Sequence, residues 1–166
     1  MYRAVKESSN VLSIRGRVLP STLDDMKLVA EMEDGRIIHG ESNIPEAHGK
    51  IKRLFTDPQN CRALPDVIEA IRDAELIILG PGSLYTSVTP NLLIKEIAHE
   101  IAVSKAKKIY VCNIMTQPGE TSGYSLADHV QAIIDHSGVG IVDTVLANDG
   151  PLPIQMVEQY SAVGSE

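Results

Sequence analysis

The residues with chemistry to offer gather in two short runs, each placed directly after an apolar segment. The first, Gly80-Pro81-Gly82-Ser83-Leu84-Tyr85-Thr86-Ser87-Val88-Thr89, follows Leu76-Ile77-Ile78-Leu79. It brings the hydroxyls of Ser83, Thr86, Ser87 and Thr89 next to glycines that let a ligand approach the main chain without meeting a Cβ. The second, Thr116-Gln117-Pro118-Gly119-Glu120-Thr121-Ser122-Gly123-Tyr124, follows another apolar run and has the same character. Both suit an anion or a nucleotide held at a strand end and a helix start. The first has neither the glycine spacing of a dinucleotide fingerprint nor the Gly-Lys-Ser/Thr ending of a phosphate loop. Ser83 is not a nucleophile elbow, because Tyr85 stands where the last glycine would be. Glu120, Asp128 and Asp143 could each act as a base or hold magnesium, and spacing does not choose among them.

Other candidates are weaker. Arg15 and Arg17 alternate around Gly16, so in an extended segment they would point the same way and could meet a phosphate together. Exposed, ion-paired arginines are the competing reading. Asp128 follows Ser125 at capping-box spacing, so it could serve only its helix. His39, His48, His129 and His136 lack further ligands at metal spacing. Cys61 and Cys112 sit in no redox or zinc spacing and read as two reduced thiols.

For both runs to meet, strands must end where the runs begin. Leu76–Leu79 reads as a buried strand stopped by Gly80-Pro81-Gly82. Thr89 reads as the N-cap and Pro90 as the first residue of a helix reaching about residue 104, with Leu93, Ile97 and Ile101 at helical spacing. A helix over 64–73, a strand over 108–115, a helix over 125–136 and a strand over 141–146 complete an alternation that specifies βαβ units. In a parallel sheet both runs then open onto the crevice at the strand C-terminal ends. The preceding segment is β-rich: a short strand from Val11, a hairpin turning at Asp34-Gly35, and a strand from Lys50 to Thr56. The expected fold class is α/β, a Rossmann-like three-layer fold with a mainly parallel sheet. Residues 1–166 would form a single domain, with βαβ units over 64–146 and a β-rich excursion over 11–56.

Composition sets the remaining bounds. The 166 residues are 43% hydrophobic and carry a formal net charge of −7, with basic residues scattered. A nucleic-acid groove needs a concentrated basic face, so nucleic acid is not an expected partner. No run approaches the roughly 18 apolar residues of a membrane span, and the N-terminus has no signal-peptide core, which points to the cytoplasm.

Three stretches carry a family resemblance: residues 79–93, Asn113-Ile-Met-Thr-Gln-Pro-Gly-Glu-Thr121, and Arg15-Gly-Arg-Val-Leu-Pro20. They resemble the gluconeogenesis-factor family, also called YvcK-like. A more distant resemblance is to the 2-phospho-L-lactate transferase (CofD-like) family, whose strand-end loop is of the Gly-Pro-Ser-Asn type where this chain has Gly80-Pro81-Gly82-Ser83. The nearer resemblance implies a cytoplasmic regulator of gluconeogenic growth and of cell-wall formation or cell shape, without established catalysis, that binds a nucleotide sugar such as UDP-N-acetylglucosamine. Gly80, Pro81, Gly82, Ser83, Tyr85, Thr86, Thr116, Gly119, Glu120 and Thr121 would line the crevice. Tyr160 would sit at the nucleotide-sugar site, the alternative being an ordinary half-buried tyrosine. The distant resemblance implies a transferase of a phosphate-linked group that uses magnesium, with Glu120 and Asp128 the best ligands. The nearer resemblance implies that the chain corresponds to the central part of the family domain, without its N-terminal loop of the Gly-Gly-Gly-Thr-Gly type and without its C-terminal elements. Apolar surface beside the Leu76 strand is therefore expected to be covered by association, as a homo-oligomer or with regulatory protein partners.

Overall fold

The computed structural model describes residues 16–165. The strand after Met26 is buried on more than one face. In β1 (Lys27–Met32), Leu28, Val29, Ala30 and Met32 are buried while Lys27 is exposed. The turn at Asp34-Gly35 returns the chain into β2 (Ile37–His39), with Gly35 at φ +87° and the Asp34 carboxylate accepting from the Arg36 amide. That left-handed geometry is the reason glycine is needed there. After a four-residue helix α1 (Asn43–Glu46), β3 (Ile51–Asp57) pairs on the other side of β1. The result is an antiparallel sheet of order β2-β1-β3, separate from the parallel one. The strand expected from Val11 lies outside the described residues.

The second half is α/β and Rossmann-like. Helix α2 (Pro65–Asp73) starts with proline at its first turn and leads to β4 (Leu76–Leu79). Strands β5 (Lys107–Val111) and β6 (Thr144–Leu146) follow, giving a parallel sheet of order β4-β5-β6. Helix α5 (Leu126–Ser137) connects β5 to β6, and α6 (Ile154–Ser161) comes last. Both sheets contribute to one apolar cluster, with Met32 and Leu54 from one, Leu79 and Tyr110 from the other, and Ile97, Ile101 and Ile133 from the helices. Each such aliphatic side chain, once fully buried, contributes about 1.5–3 kcal/mol.

The helix expected from Pro90 starts earlier and is broken. Helical backbone begins as a π turn (Leu84–Val88), in which the Val88 amide donates to the Ser83 carbonyl. It continues as α3 (Thr89–Leu92), pauses at Ile94 in extended conformation, and resumes as α4 (Lys95–Val103). Thr89 is therefore inside the helical run and fully buried, not at its cap. Ile94 is 1% exposed, so the pause coincides with a side chain committed to the core. Strand β5 also stops short of the expected residue 115, and the last strand begins at Thr144 rather than Ile141.

Candidate functional site

The parallel register puts the C-terminal ends of β4 and β5 side by side, since Leu79 lies opposite Tyr110. The two loops that follow therefore meet. Asn113 makes the first link: its Oδ1 accepts from the Gly82 amide at 3.2 Å and its Nδ2 donates to the Gly82 carbonyl at 2.8 Å. This explains why β5 ends at Val111, as the chain must turn to aim Asn113 at the neighbouring loop. Gly80, at φ +82°, lies so close to the Val111 carbonyl that a Cβ would come within 2.8 Å of that oxygen. Any side chain there would force the strands apart.

Glu120 makes the second link and is 3% exposed. Its Oε2 accepts from the Tyr85 amide at 2.9 Å, and its Oε1 from the Thr86 hydroxyl at 2.7 Å and the Gln117 side-chain amide at 3.2 Å. A carboxylate receiving main-chain and side-chain donors at the start of a helical run does the work of an N-cap from 35 residues away. Thr121 folds the same loop: its hydroxyl accepts from the Gln117 amide at 2.8 Å, and its own amide donates to the Gln117 carbonyl. Gly119 faces Pro45 in α1, where a Cβ would come within 2.0 Å of the Pro45 carbonyl oxygen. Gly119, Glu120 and Thr121 thus shape and anchor the loop.

Pro81, Thr116 and Tyr160 converge on a cavity of about 550 Å³. Val111, Ile114, Met115, Leu152 and Met156 give it aliphatic walls; Asn113, Gln117 and Ser165 supply polarity, and no charged side chain among the described residues lines it. That volume falls in the range of about 300–1,000 Å³ typical of small-molecule sites. Tyr160, on α6, is 43% exposed. Ser83, Tyr85 and Thr86 do not line the cavity: Tyr85 and Thr86 belong to the π turn and Ser83 directly precedes it. Tyr85 is buried, its hydroxyl 2.8 Å from that of Tyr124, and burial together with that contact pushes its ionisation far above the usual tyrosine range. Arg17 is exposed and lines neither strand-end pocket, and Arg15 lies outside the described residues.

The three acidic candidates do not converge. Glu120 is engaged as above. Asp128 completes the predicted capping box with Ser125, whose hydroxyl and amide donate to it and hold its carboxyl below the usual range. Asp143 accepts from the Lys108 amide at the opposite end of the sheet. No group of three or more His, Cys, Asp or Glu among the described residues is arranged to hold a metal ion. No helix among them is long and apolar enough to cross a membrane.

Two histidines gain structural roles that sequence spacing did not reveal. His136 donates from Nδ1 to the Ala132 carbonyl and accepts at Nε2 from the Leu54 amide of β3, so it ties α5 to the antiparallel sheet. His129 is 4% exposed, with Nδ1 at 2.9 Å from the Ser125 carbonyl. A second cavity, about 790 Å³ in volume, lies between β3 and helices α4 and α5, and none of the predicted ligand residues lines it.

Comparison with known proteins agrees with this architecture. The family model described as 2-phospho-L-lactate transferase CofD matches residues 1–166. The gluconeogenesis factor of Bacillus subtilis is 51% identical over 159 residues, which is 96% of this chain and 50% of that protein. The putative gluconeogenesis factor of a Nostoc species is 60% identical over 97% of this chain and 36% of its own length. A crystal structure of a UPF0052 family member from Bacillus halodurans superposes with a TM-score of 0.95 at 50% identity, covering 99% of this chain and 54% of that one. The chain thus spans about half the length of the gluconeogenesis factors of Bacillus subtilis and Halalkalibacterium halodurans. With the whole sequence matched by the family model, and with relatives about half identical over nearly all of it, the chain belongs to the CofD family, among proteins similar to the gluconeogenesis factors.

Proposed function

We propose that this chain contributes the ligand crevice of a cytoplasmic regulator of carbon metabolism, one that binds a nucleotide sugar of the UDP-N-acetylglucosamine kind. In this reading it affects gluconeogenic growth and cell-wall formation or cell shape through regulatory protein partners. The observation that carries the reading is the convergence of Pro81, Thr116 and Tyr160 on one uncharged cavity at the strand C-terminal ends. Similarity to proteins named gluconeogenesis factor supports the regulatory half. The cavity walls suit a ring more than a diphosphate, so the phosphates lie toward the main-chain amides and hydroxyls of the Gly80 loop. Calorimetric titration of UDP-N-acetylglucosamine into the wild-type chain and the Tyr160→Ala variant tests this. Binding by the wild type that is lost in the variant supports the reading, and equal binding by both overturns the assignment of the cavity.

The description of the family model favours a second reading, transfer of a phosphate-linked group assisted by magnesium. Glu120 and Asp128 do not fit a magnesium site: both Glu120 oxygens are taken by donors of the two loops, Asp128 Oδ2 is taken by the Ser125 cap, and no group of three or more His, Cys, Asp or Glu among the described residues is arranged to hold a metal ion. No step through the ion follows from them. Turnover with a deazaflavin acceptor, abolished in Asp128→Asn while binding persists, would establish this second reading.

A further inference from the structure

Beside the main cavity, across the segment Cys112–Thr116 that lines both, lies a smaller pocket of about 170 Å³. Tyr124, Leu126, His129, Ala147 and Asn148 close its far side. It has room for about five or six waters at roughly 30 Å³ each, or for a single ring. The Nε2 of His129 is buried and has no hydrogen-bond partner among the described residues. A buried polar atom without a partner is expensive, and natural proteins seldom leave one without a purpose.

The chemistry of the missing partner follows from the ring's other nitrogen. Nδ1 faces the Ser125 carbonyl, which can only accept, so Nδ1 carries the proton and Nε2 of the neutral ring is an acceptor. Anions are disfavoured nearby, because the Asp128 carboxylate already takes the Ser125 amide at the start of α5. The pocket therefore calls for a neutral group that donates.

We propose that the His129 pocket is a second compartment of the ligand crevice, in which Nε2 accepts a hydrogen bond from a hydroxyl or N–H on a neutral ring. The ring is the sugar or the base end of a nucleotide sugar, and its identity rests on the function proposed above. Because Nε2 is covered in the unliganded chain, the donor reaches it through a side-chain shift in the pocket wall.

The test follows the imidazole nitrogens of the full-length chain by nitrogen-15 NMR at mildly alkaline pH, where histidine is neutral. Uridine, N-acetylglucosamine and UDP-N-acetylglucosamine are titrated separately. The expected result is a saturable upfield movement of the His129 Nε2 resonance with the nucleotide sugar and with one fragment, which identifies the end that binds there. The His136 Nε2 resonance is the internal control and stays fixed, since it already accepts from the Leu54 amide. His129→Phe is expected to weaken nucleotide-sugar binding about tenfold, the loss of one hydrogen bond. Calorimetric binding of the nucleotide sugar with an unmoved His129 resonance overturns the second compartment and leaves the proposed function standing. A resonance moved by a fragment when the nucleotide sugar does not bind does the reverse. No movement with any probe overturns the compartment, whatever the variant does.

Discussion

The carboxylate of Glu120 accepts a hydrogen bond from the main-chain amide of Tyr85 at 2.9 Å, and this contact joins the Asn113–Gly82 pair in holding the two strand-end loops together. Removing it strands a buried amide and the Thr86 hydroxyl together. Glu120→Ala is expected to lower stability by about 2–4 kcal/mol, as three donors, the Tyr85 amide, the Thr86 hydroxyl and the Gln117 side-chain amide, lose their acceptor. Urea denaturation measures this, and a loss below about 0.5 kcal/mol, the level of an ordinary surface change, would show the link to be dispensable. Glu120→Gln, which keeps one carbonyl acceptor, should fall between.

Gly119 is the position least able to change. A Cβ there would lie 2.0 Å from the Pro45 carbonyl oxygen, and φ is +78°. Gly119→Ala combines a backbone clash with left-handed strain, and a cost of about 3 kcal/mol or more is expected. Gly123, at a similar φ of +74° but with nothing within 4 Å of a Cβ, is the control. Gly123→Ala should cost only about 1 kcal/mol, the left-handed penalty alone. Comparable midpoints for the two variants would contradict the packing of this loop on α1.

The capping box gives a pH prediction with a defined sign. The Asp128 pKa is lowered from 3.8 in the folded chain, chiefly by the Ser125 hydroxyl and then by its amide. A lowered carboxyl pKa stabilises the fold at pH above the unfolded value, and that contribution fades as pH falls through the folded value. Thermal melts should therefore show Asp128→Asn converging on the wild type in acid below pH 3.8 and diverging from it above. Ser125→Ala should cost about 1 kcal/mol near neutrality, the usual worth of an N-cap. A wild-type advantage over Asp128→Asn that persists undiminished into strong acid would contradict this.

Leu76 and Ile78 on β4 are 48% and 56% exposed, and among the described residues β4 has no partner on its outer side. An apolar strand with an open edge is a template for association. Sedimentation velocity should show self-association of the chain, reduced in a Leu76→Thr, Ile78→Thr double variant. A clean monomer at high concentration rules the prediction out.

What the sequence revealed were features written locally. Asp34-Gly35 names its own turn, Pro65 its own helix start, and Ser125 with Asp128 its own cap, and each is where the pattern puts it. What it concealed depends on partners far away in the chain. Thr89-Pro90 has the composition of a helix start, yet the helical run begins at Leu84, because its capping acid is Glu120 from the other loop. No rule confined to neighbouring residues can find that. Glu120 likewise looked like a free acid because its burial follows from packing. The crevice was legible as two loops at strand ends, whereas the unpaired nitrogen of His129 was not, since spacing reports only ligands supplied by the chain itself.

The bond from the Leu54 amide to His136 makes one sheet answer for the other. An amide protected from solvent exchange by a neighbouring strand reports on its own sheet, but this one is protected by a side chain on α5. Its exchange rate therefore measures how often the helix lifts away from the strand. If a ligand in the crevice steadies α5, deuterium uptake at Leu54 should slow, although that residue lines neither of the strand-end pockets.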